Sequence, residues 1–234
     1  MDKLVWPSDF INKIICGDCL EVMKEMSDEC IDFCIADPPW NVGKDYGKFN
    51  DKKGENEYWN WLKERLIQIF RVLKENSRFY CFYGDKGIWN LKPVCESVGF
   101  SYHQNLIWHK RNLCSFRGGR ITGDWHFMHE NILLFHKGKR TRMLSSPYSN
   151  CFSVFIYPAP QTNFKGERDH PCQKPLELMK HIIRRTPGDL ILFPFLGSGV
   201  DTRAAKDLKR NYIGIEINPD YCKIAEERLA QGVL

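Results

Sequence analysis

Short apolar runs alternate with amphipathic stretches along the chain. The apolar runs have lengths typical of buried strands, and the amphipathic stretches repeat apolar residues every three or four positions, as one face of a helix does. The runs predict seven strands, at Lys13–Cys16, Ile31–Ala36, Arg78–Tyr83, Gln104–His109, Asn131–His136, Leu190–Pro194 and Tyr212–Glu216. Strands that alternate with helices favour an α/β fold, in which helices cover both faces of a mostly parallel sheet.

The strongest helical signal is an apolar stripe made of Tyr58, Trp61, Leu62, Leu66, Ile69, Phe70 and Leu73. Because the spacing follows one helix face, it predicts core packing rather than a cofactor site. Further helices are predicted at Leu20–Met26, Leu176–Arg185, Thr202–Leu208 and Pro219–Ala230. Three irregular segments, Asn41–Glu55, Asn112–Asp124 and Lys137–Pro171, are long enough to carry function.

The composition suits one domain spanning residues 1–234. The chain is 43% hydrophobic and 27% charged, which is enough apolar material for a substantial core. Its net charge of +5 is unevenly placed, because eight Lys or Arg residues between Lys110 and Arg142 face only Asp124 and Glu130. This local excess indicates a surface that faces a polyanion.

Several classes of protein are disfavoured. The chain has ten cysteines but no secretory signal pattern, so we expect free thiols and a cytoplasmic location. No apolar run approaches the roughly 20 residues that span a bilayer, so no membrane partner is expected. No metal is expected either, since Cys16-x-x-Cys19 lacks a second pair, and His126 and His129 lack a suitably spaced carboxylate or cysteine.

A carboxylate, two prolines and an indole follow the second predicted strand, as Asp37-Pro38-Pro39-Trp40. In an open α/β sheet, ligands bind where the carboxyl ends of the strands meet. Each proline fixes its own φ and favours extended geometry in the preceding residue, which would hold these groups in a stiff arc. The same residues are also common in simple turns, and both interpretations stay open on this motif alone.

The motif suits the activation of an exocyclic amine on a base. The lone pair of such an amine is delocalised into the ring, so the nitrogen is a poor nucleophile. The Asp37 carboxylate and the Pro38 carbonyl would accept its two N–H groups and localise the lone pair for in-line attack on a sulfonium methyl. Trp40 would stack on the base, which must leave the duplex to be reached.

A glycine loop, Phe195-Leu-Gly-Ser-Gly199, follows the strand Leu190–Pro194. Glycines allow a tight turn close to a ligand, and the next strand ends in Glu216, which could accept both ribose hydroxyls of a nucleoside. The full G-x-G-x-x-G spacing and the P-loop are absent, so NAD and ATP are not favoured, and S-adenosylmethionine fits the shorter loop. An ordinary turn followed by a helix-capping acid is the alternative.

Together these segments resemble the DNA amino-methyltransferases, in the order of their circularly permuted β group. The matching motifs are Gly17-Asp18-Cys19, Asp37-Pro-Pro-Trp40, His170-Pro-Cys-Gln-Lys-Pro175, Phe195-Leu-Gly-Ser-Gly199 and Glu216-Ile-Asn-Pro219. The resemblance covers nearly the whole chain. It implies a Rossmann-like fold dependent on S-adenosylmethionine, with a seven-stranded, mostly parallel sheet, and site-specific methylation of DNA, with adenine N6 favoured.

The resemblance also implies residue roles. The catalytic residues would be Asp37, Pro38, Pro39 and Trp40. The cofactor site would comprise Asp18, Asp37, His170, Gln173, Lys174, Phe195, Gly197, Ser198, Gly199, Glu216 and Asn218, with Asp18 at the adenine, Glu216 at the ribose, and His170, Gln173 and Lys174 near the methionine carboxylate. Cys172 and Val200 stand where the family usually has Thr, which removes two hydroxyl contacts and leaves the main acceptors.

The family's target-recognition segment corresponds to an insertion at about residues 137–168. Basic residues in and before it would neutralise DNA phosphates, and a solvated charged face is the alternative. These residues are Lys110, Arg111, Arg117, Arg120, Lys139, Arg140 and Arg142. Because the segment is short, a monomer would contact little DNA, which favours a homodimer. No nuclease motif is apparent, so any cognate restriction enzyme would be a separate polypeptide.

Four other functions compete with adenine methylation of DNA. Cytosine N4 methylation uses the same chemistry, and RNA adenine methyltransferases also resemble an Asp-Pro-Pro-Trp enzyme. A binding module without activity would not need both Asp37 and Glu216. Protein glutamine methylation would use Asn-Pro-Pro-aromatic after the cofactor loop, and here both the residue and the order differ.

Overall fold

The computed structural model describes residues 4–44, 51–111, 128–144, 152–160 and 173–231. The strands in these ranges are β1 Lys13–Cys16, β2 Ile31–Ala36, β3 Leu73–Tyr83, β4 Ser101–Lys110, β5 His129–His136, β6 Val154–Tyr157, β7 Leu190–Phe193 and β8 Asn211–Glu216. The α-helices are α1 Cys19–Lys24, α2 Glu55–Val72, α3 Ile88–Val98, α4 Leu176–Arg185, α5 Val200–Asp207 and α6 Pro219–Ala230. Strands and helices alternate through most of the chain, as the hydrophobic pattern predicts.

The strands form one sheet in the order β1-β8-β7-β2-β3-β5-β4-β6. Neighbouring strands are parallel except where β5 pairs with β3 and with β4. The connections from β2 to β3 and from β7 to β8 run in opposite directions from the adjacent pair β2 and β7. A crevice forms at such a reversal, at the carboxyl ends of the strands, and there the loops after β2 and β7 meet.

Successive residues of the central strands pack alternately into two separate apolar layers, one on each face of the sheet. In β2, Cys34 and Ala36 pack in one buried cluster, while Phe33 and Ile35 pack in the other. Side chains of the helices α1, α2 and α3 lie in the first cluster, and those of α4, α5 and α6 lie in the second. The prediction of helices on both faces of a mostly parallel sheet is therefore correct.

The sheet has eight strands in the described ranges, so the predicted number of seven is wrong. The additional strand is β6, which lies within the segment expected to be irregular and extends the sheet beside β4. It is four residues long at the edge of the sheet, and of its residues only Phe155 is buried, so its apolar signal is weak. The predicted recognition insertion thus contributes a strand to the main sheet.

Helix α3 was also not predicted. It contains Pro93, which usually ends a helix because it lacks the N–H and clashes with the preceding turn. Only Leu91 and Cys95 are buried on this helix, so its apolar stripe is narrow. In the described ranges, no helix combines the length and apolar character needed to cross a bilayer.

Candidate active site

Asp37 follows the last residue of β2 and lies in a row of alternating charges. Its carboxylate is 2.5 Å from the ammonium of Lys174, which is 3.2 Å from the carboxylate of Glu130. Glu130 in turn is 2.5 Å from the ammonium of Lys110. The side chain of Lys174 is only 5% exposed, so this row runs through a poorly solvated region in which the ion pairs are weakly screened.

The surroundings move the pKa values of the two carboxylates in opposite directions. Burial raises the pKa of Asp37, Glu130 raises it further, and Lys174 opposes both. Burial also favours the neutral form of Glu130, but the ammonium groups of Lys174 and Lys110 outweigh it and lower its pKa. Glu130 is therefore the fixed negative charge, and Asp37 is the stronger acceptor of a proton or a hydrogen bond.

Two tyrosines hold the proline segment that follows Asp37. The Tyr58 hydroxyl donates to the Pro39 carbonyl at 2.6 Å, and the Tyr83 hydroxyl donates to the Tyr58 oxygen at 2.9 Å. Trp40 packs on Tyr83 with ring centroids 5.9 Å apart and also hydrogen-bonds to the Asp37 carboxylate. Tyr58 was predicted as simple core packing; it is buried, and its hydroxyl also fixes the position of the candidate catalytic segment.

Glu216 ends β8 and holds the glycine loop. One carboxylate oxygen accepts from the Gly197 amide at 2.7 Å, and the other accepts from the Asn218 amide at 2.8 Å. Burial raises the pKa of Glu216, and the amide hydrogen bonds counteract this effect. Asn218, Gly197 and Ile217 all donate backbone hydrogen bonds to this carboxylate, which has about four acceptor sites and so keeps capacity for a further donor such as a ribose hydroxyl.

The glycines of the loop have different roles. Gly197 has φ of +58° and lines the cavity beside Glu216. Gly199 has φ of +79°, and a Cβ added there would lie 2.5 Å from the Cβ of Ala225 on α6. The absence of a side chain at Gly199 therefore serves helix packing rather than the approach of a ligand.

One cavity joins the loop after β2 to the glycine loop after β7. Eight of the predicted site residues line it: Asp18, Asp37, Gln173, Lys174, Phe195, Gly197, Ser198 and Glu216. Pro39 lines it as well, and Trp61 forms part of the wall, with its ring centroid 6.1 Å from that of Phe195. The structure thus brings most of the described predicted residues together.

The remaining predicted residues lie elsewhere or have additional partners. Asn218 caps α6 by accepting from the Asp220 amide at 3.0 Å. Gln173 accepts from Ser198 at 3.3 Å and from Arg228 at 3.1 Å, which ties the start of α4 to the glycine loop. His170, Arg117 and Arg120 lie outside the described residues.

Sequence reasoning missed Arg65, a charged residue inside the apolar stripe of α2. Its guanidinium donates to both carboxylate oxygens of Asp18, at 2.7 and 3.0 Å, and lies 4.2 Å from the Trp61 ring centroid. Asp18 also caps α1 by accepting from the Leu20 amide. A charge at a buried helical position normally requires a partner, and this was the available signal.

Asp201 was missed as well. It stands in the first turn of α5, directly after the glycine loop, and lines the same cavity as Asp37. Burial, together with the negative charge of Asp37, raises its pKa to about 7, although Lys174 and Arg228 oppose the rise. The signal in the sequence was an acid next to a loop predicted to bind a ligand.

The predicted DNA-binding residues that the structure describes lie in two separate groups. Lys110 and Arg111 lie at the end of β4, near the catalytic edge of the sheet, where Lys110 pairs with Glu130. Lys139, Arg140 and Arg142 follow the other end of β5, near the start of β3. The eight residues of β5, at roughly 3.3 Å each, separate the two groups by more than about 20 Å.

Comparison with known proteins identifies the family. The model of the N6/N4 DNA methylase family matches residues 31–227. The type II methyltransferase M.HpaI of Haemophilus parainfluenzae is 31% identical, over 93% of this chain and 74% of that protein. The DNA adenine methyltransferase YhdJ of Escherichia coli strain K12 is 27% identical, over 95% of this chain and 85% of that one.

A solved structure agrees with these matches. The complex of M1.HpyAVI with SAM aligns with a TM-score of 0.75 and 26% identity, over 94% of this chain and 99% of that one. The chain therefore belongs to the DNA methylase family and is a DNA methyltransferase of the N6-adenine or N4-cytosine class. The predicted family and fold class are confirmed apart from the number of strands, and membership of the circularly permuted β group stays a prediction.

Proposed function

We propose that this protein transfers a methyl group from S-adenosylmethionine to N6 of an adenine that has been turned out of duplex DNA. The observation that carries the proposal is the shared cavity, in which Asp37 and Glu216 line the same space at the carboxyl edge of the sheet. A nucleoside cofactor held at Glu216 would extend toward Asp37. The base would enter from the side of Trp40.

The cavity has the groups that the cofactor requires. The remaining acceptor capacity of Glu216 would bind the ribose, and Phe195 and Trp61 give the adenine an apolar wall. Asp18 lies beside this wall, fixed by Arg65. When bound, the cofactor supplies an electrophilic methyl group on a sulfonium centre.

On the base side, Asp37 and the Pro38 carbonyl accept the two N–H groups of the exocyclic amine. Lys174 and Glu130 set the charge around Asp37, so that it can exchange part of its interaction with Lys174 for the incoming amine. The hydrogen bond from the Tyr58 hydroxyl to the Pro39 carbonyl restrains the segment that contains the Pro38 carbonyl. These groups orient the nitrogen lone pair toward the methyl carbon, which is an effect of positioning.

We favour adenine over cytosine as the target base because the relative from E. coli is named as an adenine methyltransferase and aligns over most of this chain. The acceptors at Asp37 and Pro38 suit either amine. The identity of the methylated base is therefore a separate outcome of the experiment below.

The test uses purified protein, methyl-labelled S-adenosylmethionine and mixed-sequence duplex DNA, followed by digestion and mass spectrometry of the nucleosides. We expect N6-methyladenine; N4-methylcytosine would keep the chemistry and overturn the choice of base. Label that enters RNA but not DNA would overturn the substrate. Label in neither would overturn the proposed activity.

Two variants separate the proposed roles. Asp37→Ala should abolish transfer while calorimetry still detects cofactor binding, because the acceptor for the amine is lost and the glycine loop is not. Glu216→Ala should weaken cofactor binding by about tenfold or more, since buried hydroxyls would lose their acceptor. Glu227→Ala, an exposed acid on α6, is the matched control and should bind normally. Loss of cofactor binding in Asp37→Ala would contradict this division of roles.

A further inference from the structure

A second cavity lies away from Asp37, near the start of β3 and the end of β5. Its walls come from β3, β4, β5, β6 and α4 and from the segment after β5. Seven basic side chains line it: Arg78, His103, His136, Arg140, Arg142, His181 and Arg185. We name it the basic cavity.

The inner wall of the basic cavity contains buried basic side chains. Arg78 is 2% exposed and His136 is 4% exposed, although both residue types are usually found at surfaces. The Arg78 guanidinium donates to the Thr141 hydroxyl at 2.7 Å and to the Thr141 carbonyl, which fixes one side of it. The Nε of Arg78 and both ring nitrogens of His136 have no hydrogen-bond partner in the described part of the chain.

The positive charges of the basic cavity are not neutralised by its described lining, which includes no Asp or Glu. Burial and the neighbouring Arg78 guanidinium lower the pKa of His136 to about 4. Burial, with Arg140 and Arg78 nearby, lowers the pKa of His103 in the same way. Two imidazoles held neutral beside several guanidinium groups mark a region where an added proton is disfavoured and an anion is favoured.

We propose that the basic cavity binds a phosphate group. Arginine forks pair with phosphate oxygens through parallel hydrogen bonds, and a neutral imidazole can donate one more. Arg78 and His136 supply unpartnered donors on the inner wall, and Arg140 and Arg185 supply charge on the segment after β5 and at the end of α4. The phosphate belongs either to a small ligand, such as inorganic phosphate or a nucleotide, or to the backbone of a DNA segment away from the methylated base.

The test is calorimetric titration of inorganic phosphate into the full chain, with S-adenosylhomocysteine present to occupy the cofactor cavity. Arg140→Gln and Arg185→Gln change side chains that are not fully buried, so these variants should fold with unchanged melting temperatures. Each should weaken phosphate binding about tenfold. Arg184→Gln, on the same helix but outside the cavity lining, is the control and should bind as the wild type does.

Saturable binding of one phosphate, lost in the two cavity variants and kept in Arg184→Gln, supports the proposal. No saturable binding, or equal weakening in all three variants, overturns it. Displacement of the bound phosphate by a duplex without methylation sites supports a DNA backbone phosphate as the source. Failure of that duplex to displace it supports a small phosphate ligand, and both results leave the cavity's chemistry as proposed.

Discussion

Asp37 owes its chemical character to residues that are distant in sequence. Lys174 is 137 positions away from Asp37 in the sequence. Glu130 lies near Asp37 because the fold brings both carboxylates to the Lys174 ammonium. The Asp-Pro-Pro-Trp motif indicated an acceptor, but the pKa of that acceptor depends on burial and on these two charges. A motif can therefore identify a catalytic group in the sequence, whereas its charge state follows from tertiary contacts.

Asp201 should make stability depend on pH. Its pKa is about 7 in the folded protein, against an ordinary value of 3.8. Between these values the folded state holds a proton that the unfolded state releases, so stability falls as the pH rises from about 4 to about 7. Asp201→Asn should therefore raise the free energy of unfolding near pH 8 by up to about 4 kcal/mol, and by much less near pH 4.

Urea unfolding at both pH values measures the Asp201 effect. Asp220→Asn, which changes an exposed acid in the first turn of α6, is the matched control and should show no such gain. Equal stability of Asp201→Asn and the wild type near pH 8 would mean that Asp201 is not penalised by burial.

Among the elements, α2 contributes more to the site than its pattern suggests. Its stripe packs in the core as predicted, but Tyr58, Trp61 and Arg65 on the same face reach the catalytic segment and the cofactor cavity. Most strands and helices could be predicted because their apolar periodicity is local. β6 and α3 could not, because one is a short edge strand and the other carries Pro93.

Tyr58→Phe should lower kcat and leave cofactor binding unchanged. The variant keeps the ring in the core but removes the donor to the Pro39 carbonyl, so the segment carrying the amine acceptors gains freedom. We expect a fall in kcat of about tenfold, with a loss of stability near 1 kcal/mol. Tyr83→Phe, which removes only the support of Tyr58, should give a smaller fall in kcat. An unchanged kcat in Tyr58→Phe would show that the tyrosine is purely structural.

The contact between the glycine loop and α6 can be tested by paired substitutions. Gly199→Ala should destabilise by roughly 3 kcal/mol, because a left-handed backbone and a steric clash add together. Gly43→Ala is the matched control, since its φ of +74° is similar and no atom lies within 4 Å of the added Cβ; it should cost about 1 kcal/mol.

Adding Ala225→Gly should relieve part of the clash, because it removes the Cβ at 2.5 Å but leaves the Cα of position 225 at 2.8 Å from the added atom. In the Gly199→Ala variant, the second substitution should recover part of the lost stability. In the Gly43→Ala variant it should recover none. Denaturant unfolding measures both effects. Equal costs of the two glycine substitutions would show that Ala225 moves aside freely.

At the scale of the whole molecule, the described residues of the predicted DNA-binding set lie at two ends of the sheet. A run of basic residues that looks continuous in sequence is separated by the length of β5, so the sequence predicted the charge and not its placement. The predicted role in DNA binding is thus easiest to assign to the group near Asp37. The second group includes residues that line the basic cavity.

This division predicts different effects on DNA binding. Arg111→Gln should raise the KM for DNA and reduce the salt dependence of binding by about one unit of slope, as expected for one phosphate contact. Lys139→Gln removes the same charge at the far end of β5 and should leave KM nearly unchanged. Methylation assays at several salt concentrations measure both. Equal effects would place the DNA across both ends of the sheet.

The pairing of β1 with β8 has a consequence for the protein during its synthesis. Asn12 and Tyr212 are hydrogen-bonded although they are 200 positions apart. On the ribosome, the segment with Asp37 emerges long before Glu216, and early segments begin to fold first. A nascent chain therefore contains Asp37 before Glu216 has been made, and the cavity that both residues line can form only after translation has passed β8.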